Sequence, residues 1–141
     1  MPVSLTIPMI LPTTLALAAA AALINFWLSL RIGQLRGKLK VDVGDGGHDS
    51  IFRRMRAHAN FSENTPLLLI LVAGIELSGK GSWWLPVVGA VFMLGRVTHA
   101  WGMDGRFKAG RVFGAVSAIL IQLGLGGFAL FVAMHQMMHP A

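Results

Sequence analysis

Four polar side chains recur at helical spacing along one stretch of the sequence. Arg53, Arg56, Asn60 and Glu63 stand at offsets 0, 3, 7 and 10, which places them within roughly 80° of one helix face at about 100° per residue. This polar stripe offers two cations, an amide and a carboxylate, a combination that can bind a small polar ligand with charges of both signs. For the arginines, the alternative is that they only flank a membrane-spanning segment.

A second group of polar residues follows in the last third of the chain. Arg96 and His99 are three residues apart and share one helix face. We expect Arg96 to pair with Glu63, either at a ligand site or as a structural link between two helices. Arg111 is expected at the start of the last helix, where free N–H groups also favour an anion. The two groups together predict a pocket for a small, multiply anionic ligand.

The composition indicates that these residues lie on membrane helices. Of 141 residues, 55% are hydrophobic and 13% are charged, whereas soluble domains have about a quarter charged residues. The mean hydropathy is +0.65. About 20 apolar residues cross a bilayer, so the chain has room for four spans. We predict a single all-α membrane domain, a four-helix transmembrane bundle, with spans at residues 5–30, 57–78, 83–103 and 112–134.

The second span has to include polar residues. Its apolar run from Pro66 to Ile75 is too short to cross a bilayer, so Asn60 and Glu63 fall at membrane depth. Ionisable groups are expensive there and usually face a bundle interior or a wet cavity. Glu63 is therefore predicted to bind a ligand or to pair with another helix.

The distribution of positive charge predicts the orientation. Arginines and lysines gather in and around two predicted loops, residues 31–56 and 104–111, and Lys80 lies on the opposite side. By the positive-inside rule, both loops and the pocket face the cytoplasm and both termini lie outside. Because five glycines fall between residues 32 and 50, we expect that loop to be flexible.

Several other classes of site are disfavoured. The chain has no cysteine, which excludes disulfides, thiolate metal sites and a cysteine nucleophile. A bis-histidine haem site at His58 and His99 is disfavoured because His58 lies off the polar stripe. No basic helix with interleaved aromatic residues indicates a nucleic-acid partner. The first loop has an acidic group whose spacing fits no calcium loop and suggests a solvated turn: Asp42, Asp45, His48 and Asp49.

Small residues line one face of the last span and favour close helix packing: Gly110, Gly114, Ser117 and Gly124. One four-helix bundle cannot fully cover both this face and the polar stripe. We therefore expect a homotrimer.

The segment from Arg53 to Pro66, with its Arg-Ala-x-x-Asn-x-x-Glu core, resembles the hallmark of the MAPEG family, the membrane-associated proteins in eicosanoid and glutathione metabolism. Residues 33–36 and 96–99 are also similar to family sequences. The resemblance covers essentially the whole chain and points to the bacterial-type microsomal glutathione transferases.

The resemblance implies homotrimers in the membrane, here a bacterial inner membrane, with glutathione as co-substrate between neighbouring subunits. It implies a detoxifying transferase, with peroxidase as a second activity, that joins glutathione to lipophilic electrophiles or reduces hydroperoxides. Arg111 would be the catalytic residue that stabilises the thiolate, and Arg36 would reach the site from the adjacent subunit. The residues implied in glutathione binding are Arg36, Arg53, Arg56, Asn60, Glu63, Arg96 and His99.

The chain departs from the family in one respect, since it has no tyrosine. Asn64 and Met103 stand where members commonly place pocket tyrosines. This departure favours one alternative, a member that binds glutathione or lipid without turnover. A small four-helix transporter is a further alternative, but arginines surround Glu63 in the sequence and favour anions over exported cations.

Overall fold

The computed structural model describes residues 10–139, and within that range the chain forms four helices and no strand. Their bounds are Pro12–Leu39 (α1), Asp49–Leu77 (α2), Trp84–Met103 (α3) and Lys108–Met138 (α4). The all-α, four-helix architecture is therefore confirmed. The predicted start of the first span, with Pro8, lies outside the described residues.

The first loop is shorter than predicted. Helix α1 continues through residues 32–39 and α2 already begins at Asp49, so only residues 40–48 connect them. The expectation of a flexible loop over residues 32–50 is wrong at both ends. Hydropathy indicates where a helix leaves the membrane. The helix itself ends where the backbone leaves the helical conformation. Here α1 ends at Leu39, and the residue that caps it, Lys40, adopts a left-handed conformation with φ 58°.

Helix α4 also begins earlier than the predicted span. It starts at Lys108, so Arg111 is the fourth helical residue and still belongs to the first turn. The polypeptide between α3 and α4 is correspondingly short, residues 104–107.

Glycines bring α3 and α4 into close contact. A Cβ atom on Gly102 would stand 2.8 Å from the Cα atom of Arg111, and one on Gly114 would collide with the Gly95 carbonyl and His99. Small residues permit such close backbone approach in membrane helices. The small-residue face of α4 is thus largely used within one chain, although a Cβ atom on Gly124 at its far end would meet nothing within 4 Å.

The interior of the bundle is mostly apolar, and much of its outer surface is apolar too. Phe92, Leu68 and Leu85 are fully buried, whereas Leu23 and Leu123 are about 70% exposed (72% and 69%). Within residues 10–139, α1 and α4 are each long and apolar enough to cross a membrane. Helices α2 and α3 carry the polar residues described above and do not meet the same criterion.

Glu76 holds the amino-terminal end of α1 against α2. Its carboxylate accepts hydrogen bonds from the backbone N–H groups of Thr13 and Thr14, at 2.8 and 2.9 Å, and from the Thr14 hydroxyl at 2.7 Å. The first N–H groups of a helix have no partner within the helix. Glu76 supplies a partner for two of these N–H groups.

Candidate functional site

Arg96 joins three helices in the interior of the bundle. The residue is 2% exposed, and its guanidinium donates to the amide oxygen of Asn60 on α2 and to the backbone carbonyl of Gly114 on α4. The Phe92 ring lies 5.2 Å from the guanidinium carbon. A buried charge needs such partners to offset the loss of hydration. Arg96 and Asn60 of the predicted site therefore bind one another.

The predicted pair between Arg96 and Glu63 does not form. Glu63 is exposed and makes no salt bridge with any residue between 10 and 139. The reason is helical geometry, because three residues along α2 rotate the side chain by about 60° away from the direction of Asn60. Asn60 faces α3, and Glu63 faces outward.

His99 contacts the first turn of α4. Its Nδ1 atom lies 3.1 Å from the backbone carbonyl oxygen of Arg111, and the ring is 9% exposed. Because a carbonyl only accepts, Nδ1 must be the protonated nitrogen in this contact. The Arg111 side chain itself is exposed at the surface of the bundle.

The remaining arginines of the predicted site differ in their contacts. Arg56 is exposed. Arg53 forms a 2.6 Å ion pair with Asp49 one turn away, both largely exposed, an arrangement worth little energetically in water. Arg36 donates to the Gly44 carbonyl at 3.0 Å and lies 3.5 Å from the Met55 sulfur, so within its own chain it contacts the first loop and α2.

Asp104 is a residue that the sequence analysis missed. It forms salt bridges with Arg31 on α1 and with Arg54 on α2, the second at 3.2 Å. Arg54 also donates to the Arg31 carbonyl at 2.7 Å. The sequence did contain a signal for Asp104, because it is the one acidic residue in the predicted loop 104–111.

A cleft of about 280 Å³ opens beside these ion pairs, at the same end of the bundle as Arg111. Arginines on two elements and two aspartates give it mixed charge. Its lining residues are Asp49, Ser50, Arg53, Arg54, Met103, Asp104 and Arg106.

The two positions expected to hold tyrosine have different environments. Met103 lines the cleft. Asn64 accepts a 3.0 Å hydrogen bond from the Gln122 side chain on α4 and donates to the Asn60 carbonyl at 2.7 Å. Asn64 therefore links α2 to α4 within the chain.

His58 and His99, the two histidines of the disfavoured haem site, contact different helices. His58 lies 2.8 Å from the Asn25 side chain and 3.4 Å from the Ser29 hydroxyl, both on α1. His99 instead contacts α4 through Arg111. These contacts give the two rings separate surroundings.

Comparison with known proteins agrees with this architecture. The family model described as MAPEG family matches residues 14–131. Two curated relatives are each named inner membrane protein YecN, one from Escherichia coli strain K12 and one from strain CFT073. Each is 30% identical over 89 residues, which cover 63% of this chain and 68% of the relative.

Proposed function

The chain belongs to the MAPEG family, and from this premise we propose that it is a membrane-bound glutathione transferase with an accompanying peroxidase activity. The proposal assigns glutathione to the cytoplasmic end of the bundle and a lipid-soluble electrophile or hydroperoxide to the surrounding membrane. The two substrates meet at the first turn of α4.

One observation carries the proposal, the outward position of Arg56 and Glu63 on α2. Both are exposed in the single chain, Glu63 within the predicted span 57–78 and Arg56 at its edge. Charges that face lipid are costly, so a partner must cover them. Glutathione has two carboxylates and one ammonium group, which complement the two cations and the carboxylate of the polar stripe.

The same exposure supports a homotrimer with the site between subunits. A ligand on the outside of one bundle still needs a wall on its other face. A neighbouring subunit would supply that wall, and Arg36 near the end of α1 is the residue we assign to reach across it. Asn60 would contribute less directly, since its amide oxygen already accepts from Arg96.

Arg111 is the residue we assign to the chemistry. A free thiol has a pKa of about 8.5, so only a few per cent is thiolate at pH 7. A guanidinium at the start of a helix stabilises an anion and lowers the thiol pKa. The thiol proton leaves to solvent, the sulfur forms a bond to the electrophilic carbon, and the displaced group departs with its electron pair.

The peroxidase reaction uses the same thiolate. The sulfur attacks one peroxide oxygen, the O–O bond breaks, and the departing alkoxide takes a proton to become an alcohol. The resulting sulfenic acid condenses with a second glutathione to give the disulfide and water. Hydroperoxide is thereby reduced, and two glutathione molecules are oxidised.

A second candidate function, binding without turnover, is favoured by the two missing hydroxyls. Asn64 and Met103 offer no phenol, and the Asn64 amide is already engaged by Gln122. In that case the polar stripe would bind glutathione or a lipid headgroup, but Arg111 would not activate a thiol.

Calorimetric titration of the detergent-solubilised protein with glutathione tests the proposal, together with turnover of chlorodinitrobenzene. We expect binding, release of chloride, and weaker binding in Arg56→Ala, with Lys80→Ala at the other end of the bundle as a charge-matched control. Binding without turnover would favour the second candidate. Absence of glutathione binding would reject the transferase and leave a lipid headgroup as the ligand of the second candidate.

A further inference from the structure

Metal-binding side chains cluster at the carboxyl-terminal end of α4. The segment from Met134 to His139 contains three of the eight methionines and two of the five histidines in the chain. It lies about 40 Å along the helix from Arg111 at roughly 1.5 Å per residue. The cluster therefore belongs to a different end of the bundle from the proposed glutathione site, and its role is independent of that site.

Four of these side chains share one side of the helix. Met134, His135, Met138 and His139 stand at positions i, i+1, i+4 and i+5, which span about 140° around the axis. All four are exposed. Met137 projects about 160° away from His135 and lies outside this group.

The separation of the two histidine rings is compatible with a shared metal ion. Their ring centres are 5.0 Å apart. A metal–nitrogen bond of about 2.0 Å places a ring centre roughly 3 Å from the ion, so two imidazoles on one tetrahedral ion have centres about 5 Å apart. The backbone N–H of His139 still donates to the His135 carbonyl at 3.0 Å, which maintains the helical spacing.

Both histidines also line a cleft of about 580 Å³ between the end of α4 and the segment after α2. The described residues that line this cleft include Lys80 but no carboxylate. Glu76, two residues before Ser78 in this cleft, is bound to the first turn of α1.

We propose that Met134, His135, Met138 and His139 bind one soft monovalent metal ion, Cu(I) or Ag(I). Thioether sulfur selects soft ions, and imidazole binds copper as well. All four donors are neutral, and Lys80 repels a divalent ion more strongly than a monovalent one. Methionine has three rotatable bonds, so the exposed thioethers can turn toward an ion held by the histidine pair.

Competition for Cu(I) against a chromophoric chelator tests the site, with the full-length protein in detergent and a glutathione-free reducing buffer. We expect one Cu(I) per chain in the wild type. The double variants His135→Ala/His139→Ala and Met134→Leu/Met138→Leu should each bind at least about 100-fold more weakly, since losing ligands costs more than the roughly 10- to 100-fold loss typical of an outer-shell partner. Met137→Leu should match the wild type. X-ray absorption of the loaded protein should show both nitrogen and sulfur ligands.

The leucine variant keeps the shape of the methionines and decides the question even if the alanine variant were less stable. Equal Cu(I) affinity in the wild type and the leucine variant would overturn the proposal. Displacement of Cu(I) by an equal concentration of Zn(II) would overturn it as well, because a site built on thioethers should not prefer Zn(II).

Discussion

His99 donates a hydrogen bond from Nδ1 to the backbone carbonyl oxygen of Arg111, 3.1 Å away. The contact joins α3 to the first turn of α4, at the point where Gly102 lets the two backbones approach. It positions the backbone of Arg111, and the exposed guanidinium remains available to a ligand. The geometry thus combines a fixed backbone with an accessible cation.

Replacing His99 by Phe keeps an aromatic ring but removes the hydrogen bond. A single hydrogen bond contributes about 0.5–1.5 kcal/mol, so turnover of chlorodinitrobenzene should fall roughly 3- to 10-fold, while glutathione affinity changes little. Steady-state kinetics and calorimetry on the same preparation separate the two effects. An unchanged kcat would mean that this contact does not position Arg111 for reaction.

Replacing Arg96 by Met should destabilise the bundle. The change leaves the half-buried Asn60 amide oxygen without its donor and removes one donor from the Gly114 carbonyl, and a buried polar group left unsatisfied costs about 1–3 kcal/mol. Thermal unfolding in detergent measures it. Arg96→Lys should lower the melting temperature less than Arg96→Met does, but still below the wild-type value, because one ammonium cannot reproduce two diverging donors. A wild-type melting temperature in both variants would contradict the assigned role.

Asp104→Asn should loosen the end of the bundle at which α3 connects to α4. The substitution removes the negative charge shared by Arg31 and Arg54, which are both largely shielded from solvent. Removing one partner of a shielded ion pair costs about 3 kcal/mol. Hydrogen exchange should then increase at the ends of α1 and α3. Asp49→Asn is the control, since its pair with Arg53 is exposed. Equal hydrogen exchange in the two variants would contradict the greater contribution assigned to the shielded ion pairs of Asp104.

Glu63→Gln keeps the side-chain size and removes its charge. Because Glu63 forms no salt bridge with the described residues of its own chain, the monomer fold should be unaffected. Glutathione affinity or trimer stability should decrease instead, as read by calorimetry and native mass spectrometry. Wild-type values in both measurements would show that Glu63 faces neither ligand nor neighbour.

Much of the fold could be predicted from the sequence, because hydropathy indicates which segments cross a membrane as helices. The four helices and the closeness of Arg96 to the second helix could be predicted in this way. The partner of Arg96 could not be predicted from the sequence. Charge alone favours Glu63, but only the rotation of α2 decides that Asn60 faces α3 and Glu63 faces outward.

The missed contacts are all between distant parts of the chain. Asp104 reaches Arg31 and Arg54 across 73 and 50 residues, and Gln122 reaches Asn64 across 58. Helical periodicity describes one element at a time and has no information on which loop residue lies beside which helix end. The length of α1 beyond the membrane was missed for a related reason, since its last turns are polar but helical.

The central claim is that Arg111 converts bound glutathione to its thiolate. The most direct test is the ultraviolet difference absorbance of the thiolate in wild type and Arg111→Ala, each saturated with glutathione and titrated with pH. The account predicts a bound thiol pKa below the free value of about 8.5 in the wild type, a return toward that value in Arg111→Ala, and loss of most conjugation. Equal thiolate absorbance and equal turnover in the two proteins would contradict it.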